Sequence, residues 1–220
     1  MLALDHTRHS GIFDVQYESV ILVGAGGIGA ITAVALAKMG VGWLEVWDGD
    51  TIEDVNVATQ FHSAALLGEN KATALGPLIQ EMAPGIRYHP RGSNVEPGDV
   101  LRGTIIISAL DSINARKMLW DDVLFHEQSR WQWYLDARMG AEEFQLISVD
   151  RNSNWDWYDA FINRWNEDDI PELPCTEKAT IYTANGAAAF IGSTVRRISS
   201  GLDVPKIQSV NFREGTIANV

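Results

Sequence analysis

The sequence predicts an α/β fold: a mostly parallel sheet with helices on both faces and antiparallel strands towards the C-terminal part. Three observations predict it. A short β-branched run, Ser19 to Val23, is followed at once by a glycine-rich turn and then an alanine-rich stretch with helical character. A second short apolar run, Trp43 to Trp47, ends on an acid, Asp48. Beyond it, strand-like and helix-like segments keep alternating, as a parallel sheet covered on both faces requires. A strand, a glycine turn, a helix and a second strand ending in an acid together form a Rossmann-like beginning.

The elements follow in order. Residues 1–18 are mixed in character and predict an N-terminal arm or short helix. Ser19 to Val23 is a buried strand, and Ala30 to Met39 a helix closed by Gly40. The polar stretch Asp48 to Thr59 has no regular period. Asn70 to Met82 has helical spacing and stops before Pro84. Arg87 to His89 is a weak strand and Thr104 to Ser108 a strong one. Ser112 to Phe125 predicts a helix, with further strands at Trp131 to Asp136 and Phe144 to Val149. The acidic, aromatic stretch Asn154 to Asp169 fits no single period, and residues 166–178 predict a mobile loop. Ala179 to Ile198 reads as a buried helix of small residues, and Ile207 to Phe212 as a last strand. With no repeat, low-complexity tract or linker, residues 1–220 are expected to form a single domain.

Bulk properties narrow the function. The 220 residues are 46% hydrophobic and 21% charged, the profile of a globular protein with a sizeable core. A formal net charge of −12 and the lack of any Lys/Arg run argue against nucleic acid as a partner. The single cysteine rules out an internal disulfide and a four-cysteine zinc site, so no zinc is expected. No apolar run approaches the ~20 residues of a membrane span. The N-terminal residues lack the apolar stretch of a secretion signal, so cytoplasmic location is the default expectation.

The glycine turn carries the first chemistry. Gly24, Gly26, Gly27 and Gly29 lie between a strand and a helix. Glycines there let the backbone approach phosphates, and the helix N-terminus offers free N–H groups and a partial positive charge. Asp48, about twenty residues on at the end of the next strand, is placed to accept hydrogen bonds from a ribose. These residues predict nucleotide binding and leave NAD, FAD and ATP open.

The next stretch narrows the choice. It reads Asp48-Gly-Asp50-Thr-Ile-Glu53-Asp-Val-Asn56-Val-Ala-Thr59-Gln60. Lys71 follows near a helix start, and Ser108-Ala-Leu-Asp111 at a strand end. A dehydrogenase needs one ribose-binding acid and has no evident use for the rest. Adenylation does: a carboxylate must approach a polyanion, a lysine neutralises phosphate, and an aspartate holds Mg²⁺. Here the sequence resembles the ThiF/MoeB/HesA superfamily of ubiquitin-activating-enzyme-like adenylyltransferases. The resemblance rests on GAGGIG at 24–29, DGDTIEDVNVATQ at 48–60, Lys71, SALDS at 108–112 followed by Arg116, and PCT at 174–176.

That resemblance implies Asp48 on the ATP ribose, with Asp50 beside it in the same nucleotide-binding block. It puts Asn56 and Gln60 by the α-phosphate, Lys71 on the phosphates and Asp111 on Mg²⁺. It implies that Arg8 reaches across a homodimer into the partner's site, that Arg116 belongs to the catalytic set, and that Cys175 takes the acyl group as a thioester. The substrate it implies is the C-terminal carboxylate of a small ubiquitin-like or sulfur-carrier protein. Two departures stand out. Such blocks usually carry arginine before the glutamine, where this chain has Thr59, with Arg8, Arg116 and Arg138 the candidates to substitute. The paired CxxC motifs of many bacterial sulfur-carrier activators are absent. Two other readings remain at this level: a weakly active or inactive ATP-binding member acting as a recruitment or heterodimer module, and an NAD-dependent oxidoreductase.

Overall fold

The computed structural model describes residues 4–165 and 179–219. Eight strands form one sheet in the order β3-β2-β1-β4-β5-β6-β7-β8. They are β1 (Ser19–Val23), β2 (Trp43–Trp47), β3 (Tyr88–Arg91), β4 (Ile105–Ser108), β5 (Trp133–Gly140), β6 (Glu143–Asp150), β7 (Ile207–Asn211) and β8 (Thr216–Asn219). The first five are parallel, and β5 to β8 run antiparallel. The predicted fold class is the observed one.

The period-two alternation of the apolar runs explains how both faces are covered. Val20 and Leu22 of β1, and Ile105 and Ile107 of β4, face a core closed by α1 (Gly27–Met39), α3 (Lys71–Met82) and α6 (Ile181–Ser199). Ile21 and Val23, with Ile106, Tyr134 and Ile147, face a second core. That one is closed by α4 (Ile113–Met118), the π-helical turn Leu119–Leu124 and α5 (Asp156–Ile162). Trp120 is its centre, meeting Tyr158, Phe125 and Trp155 edge-on. Among the described residues, no helix is long and apolar enough to cross a membrane.

Several elements differ from the sequence reading. The polar stretch after Asp48 holds a one-turn helix, α2 (Asp54–Val57), and a 3₁₀ turn follows at Ala64–Leu66. The weak third strand lies at Tyr88–Arg91. The predicted 112–125 helix changes to a π turn after Met118. The unplaced aromatic stretch contains α5, whose Tyr158 and Ile162 are fully buried and give it a reason to fold. The hairpin strand β8 has all four residues exposed, so no apolar pattern announces it. The expected loop at 166–178, and Cys175 within it, lie outside the described residues.

The topology fixes where ligands can bind. From β1 the chain steps outward through β2 to β3, and then returns to the other side of β1 as β4. The crevice between the carboxyl ends of β1 and β4 is therefore the switch point, the usual binding place in such sheets. The glycine turn leaves β1 and the Ala109–Asp111 turn leaves β4, one on each side of it.

Candidate functional site

The glycine turn is built for close approach. Gly24 has φ +100°, and a Cβ there would lie 2.6 Å from the Ala109 carbonyl oxygen of the β4 turn. A Cβ on Gly29 would lie 1.9 Å from the Gly24 carbonyl oxygen, so the first turn of α1 closes only with glycine. Helix α1 begins at Gly27 without a side-chain cap, which leaves its leading N–H groups to an outside acceptor.

The Ala25 peptide is gripped on both sides. Its N–H donates to Asp48 Oδ2 at 2.6 Å, and its carbonyl accepts from His62 Nε2 at 2.7 Å. Burial raises the Asp48 pKa, and the Ala25 and Asp50 N–H groups oppose that rise. Burial also lowers the His62 pKa, favouring the neutral imidazole, and because the Ala25 carbonyl can only accept, Nε2 carries the hydrogen. Sequence reasoning missed His62. No spacing marks it, because its partner lies 37 residues earlier.

The block after Asp48 folds into a small polar frame. The Asp50 N–H donates to Asp48 Oδ1 at 2.8 Å. The Asn70 amide donates to the Asp48 carbonyl at 2.7 Å, while its Oδ1 caps α3 through the Thr73 N–H. This starts α3 at Lys71, whose ammonium bonds Asp50 Oδ2 at 2.9 Å. The Lys71 side chain is 10% exposed and that of Asp50 67%, so the buried ammonium points out to the rim of the cleft. Asn56 caps α2, its Oδ1 accepting from the Glu53 N–H at 3.0 Å. Gln60 lies against Gly26, its Nε2 3.8 Å from where a Cβ would stand, and its buried Oε1 has no partner among the described residues.

On the β4 side, Asp111 is exposed at the mouth of the same cleft. Arg116 lies behind it, buried. Its guanidinium bonds Asp136 Oδ1 and the Leu110 carbonyl, and reaches the Ala137 carbonyl at 3.0 Å. The other Asp136 oxygen accepts from Arg138 at 2.6 and 2.8 Å and from the Tyr158 hydroxyl at 2.8 Å. Burial opposes ionisation of Asp136, but the Arg116 and Arg138 guanidiniums overcome it and hold its pKa below the usual carboxylate value. Arg116 thus fixes the Leu110–Asp111 turn to β5. Arg8 does not join the cleft of its own chain. It is exposed on the arm, whose His6 packs on Gly40 at the far end of α1.

The two sides share one cleft of ≈ 2340 Å³, lined by Gly24, Gly26, Gly27, Asp48, Asp50, Asn56, Gln60, Lys71 and Asp111. That exceeds the roughly 300–1,000 Å³ of a small-molecule pocket. The excess runs over the face of β5–β8 that α6 leaves uncovered, along the register row Arg138, Gln145, Ser209, Ala218 and its neighbour Gly140, Glu143, Asn211, Thr216. Its residues are mostly small and polar, suited to an extended chain.

Comparison with known proteins decides the family. The sequence profile described as "ThiF family" matches residues 2–132, more than half of the chain. The chain belongs to the ThiF family. ThiF-family relatives include the maize "Adenylyltransferase and sulfurtransferase MOCS3-2", 32% identical over 112 residues, which are 49% of this chain and 23% of that protein. The "SAMP-activating enzyme E1" of Haloferax volcanii is 32% identical over 125 residues, 54% of this chain and 46% of that protein. The chain therefore spans less than half the length of these relatives. Among solved structures, PaaA superposes with a TM-score of 0.71 at 18% identity, covering 94% of this chain and 64% of PaaA. E. coli MccB crystallised with ATP gives 0.68 at 20% identity, covering 94% and 64%. Both likenesses show the same fold.

Magnesium fits this site in one way. Among the described residues no three acid, histidine or cysteine side chains cluster. A single carboxylate completed by substrate phosphates is a common magnesium arrangement, and Asp111 at the mouth of the cleft supplies one.

Proposed function

We propose that this chain binds ATP with Mg²⁺ at the switch-point crevice and adenylates the C-terminal carboxylate of a small ubiquitin-like or sulfur-carrier protein. The observation that carries this reading is one continuous cleft. It joins the uncapped start of α1, Lys71 and Asp111 to the polar face of β5–β8 opposite α6. The ThiF-family relatives, named as adenylyltransferases and activating enzymes, support it.

In this reading the leading N–H groups of α1 and the Lys71 ammonium meet the phosphates, and Asp48 accepts from the ribose. Asn56 and Gln60 lie by the α-phosphate, Asp50 holds Lys71, and Asp111 would hold Mg²⁺, which would withdraw charge from the phosphates. A carboxylate oxygen of the substrate bonds to the α-phosphorus. The bond from that phosphorus to the bridging oxygen breaks, and pyrophosphate leaves with the electron pair. The Cys175 thiolate then attacks the acyl carbon of the mixed anhydride; the bond from that carbon to the AMP oxygen breaks and AMP leaves with the electron pair, giving a thioester. Arg8 enters this scheme only from a second subunit, in a homodimer.

The test is exchange of labelled pyrophosphate into ATP, driven by a carrier protein ending in Gly-Gly. Exchange is expected from the wild type and lost in D111A, and C175S is expected to keep exchange while losing the thiol-cleavable adduct. ATP binding without exchange would instead leave a nucleotide-binding recruitment module.

A further inference from the structure

Among the described residues, Arg138, one of the candidates to stand in for the arginine that Thr59 replaces, is the cation of this cleft to which the proposed nucleotide contacts assign no role. Lys71 is paired with Asp50, and Arg116 is spent on Asp136 and two carbonyls. Arg138 shares Asp136 with Arg116, so two guanidiniums stand on one fully buried carboxylate. Among the described residues the cluster keeps one surplus positive charge, with the Arg138 side chain 18% exposed and facing the cleft. A half-buried surplus charge is costly unless an anion takes it up. The guanidinium is also aimed. Its Nε and Nη2 edge is fixed on Asp136, and the Phe161 ring lies under it at 5.0 Å. Its Nη1 donates to no described residue.

The position of this charge selects the anion. Arg138 is two residues past Asp136, which pairs with Ser108 at the end of β4, so it stands level with the Ala109–Asp111 turn. It is also the inner end of the register row through Gln145, Ser209 and Ala218. A chain that reached the crevice along that row would bring its terminus to Arg138, between the row and Asp111. The glycine turn and Lys71 lie on the other side of the crevice, so the phosphates already have their partners there.

We propose that Arg138 binds and orients the terminal carboxylate of the acceptor chain, presenting it to the α-phosphorus. Asp136 is its positioning residue, and Arg116 in turn positions Asp136. This assignment rests on the adenylation reading for the reason the carboxylate is there, but its test is a binding test and does not need turnover.

The experiment titrates the protein, saturated with a non-hydrolysable ATP analogue and Mg²⁺, with a heptapeptide ending in Gly-Gly. The peptide is used both as the free acid and as the C-terminal amide. In the wild type the acid should bind at least about tenfold more tightly than the amide, the worth of a charge-assisted hydrogen bond. R138M should erase that difference while the affinity for the ATP analogue stays within about twofold. R138K, which keeps the charge without the planar fork, should retain part of it. Asp136 keeps Arg116 and Tyr158 in both variants, and their thermal unfolding checks that they fold. The proposal is overturned if the wild type does not distinguish acid from amide, if R138M still does, or if R138M loses nucleotide affinity in parallel. Absence of pyrophosphate exchange with an intact acid–amide difference would remove the adenylation reading and leave the carboxylate site standing.

Discussion

Ala25 and Asp48, 23 residues apart, are joined by a 2.6 Å hydrogen bond from the Ala25 N–H to Asp48 Oδ2. This bond ties the glycine turn after β1 to the end of β2, so the acid that reads as a ribose ligand also sets the shape of the turn proposed to cradle the phosphates. D48N keeps one acceptor but places an N–H₂ group against a backbone donor. It should lower stability by about 1.5–3 kcal/mol and weaken ATP binding as well. Urea unfolding and nucleotide titration of the same sample check both effects.

Stability should depend on pH through His62. Burial lowers its folded pKa below the ordinary 6.5, so between those two values the unfolded chain binds more protons than the folded one. Stability therefore holds above about pH 6.5 and falls as pH drops from there towards the folded pKa. H62Q, which can still donate to the Ala25 carbonyl, should lack that component of the slope. Unfolding free energies at several pH values between 5 and 8 measure it.

Lys71 should matter to the ligand more than to the fold. Its partner Asp50 is mostly exposed, and such pairs contribute little to stability. K71M should leave the melting temperature nearly unchanged and weaken ATP binding by about 10- to 100-fold. A large loss of stability with intact ATP affinity would reassign Lys71 as structural.

Asp136 should behave oppositely. Removing it leaves Arg116 buried without its counter-charge and Arg138 unanchored. D136A should cost about 3–5 kcal/mol of stability, measured by urea unfolding.

Much of this was legible in the sequence because it is local. The Gly24–Gly29 turn, the apolar runs of β1 and β4 and the acid ending β2 each carry their signal within a few residues. Asp48, Asp50, Asn56, Gln60, Lys71 and Asp111 do line one cleft. What was not legible depends on distant partners. Arg116 reads as a helix residue near the chemistry, yet its surroundings are set by Asp136, 20 residues on and in another strand. His62 has meaning only against Ala25. The exposed β8 forms because β7 offers it an edge, and α5 because Tyr158 and Ile162 find the Trp120 core. The polar row on the β5–β8 face also follows from register, since Arg138, Gln145 and Ser209 align only once the strands pair.

The most direct measurement is calorimetric titration of the wild-type protein with ATP in the presence of Mg²⁺ and, separately, with NADH. One ATP site per chain is expected, with a dissociation constant in the ~1 μM to 1 mM range of enzyme substrates, weakened when Mg²⁺ is removed or Asp111 is changed to Asn. NADH should give no saturable heat. Saturable NADH binding with none for ATP would contradict it.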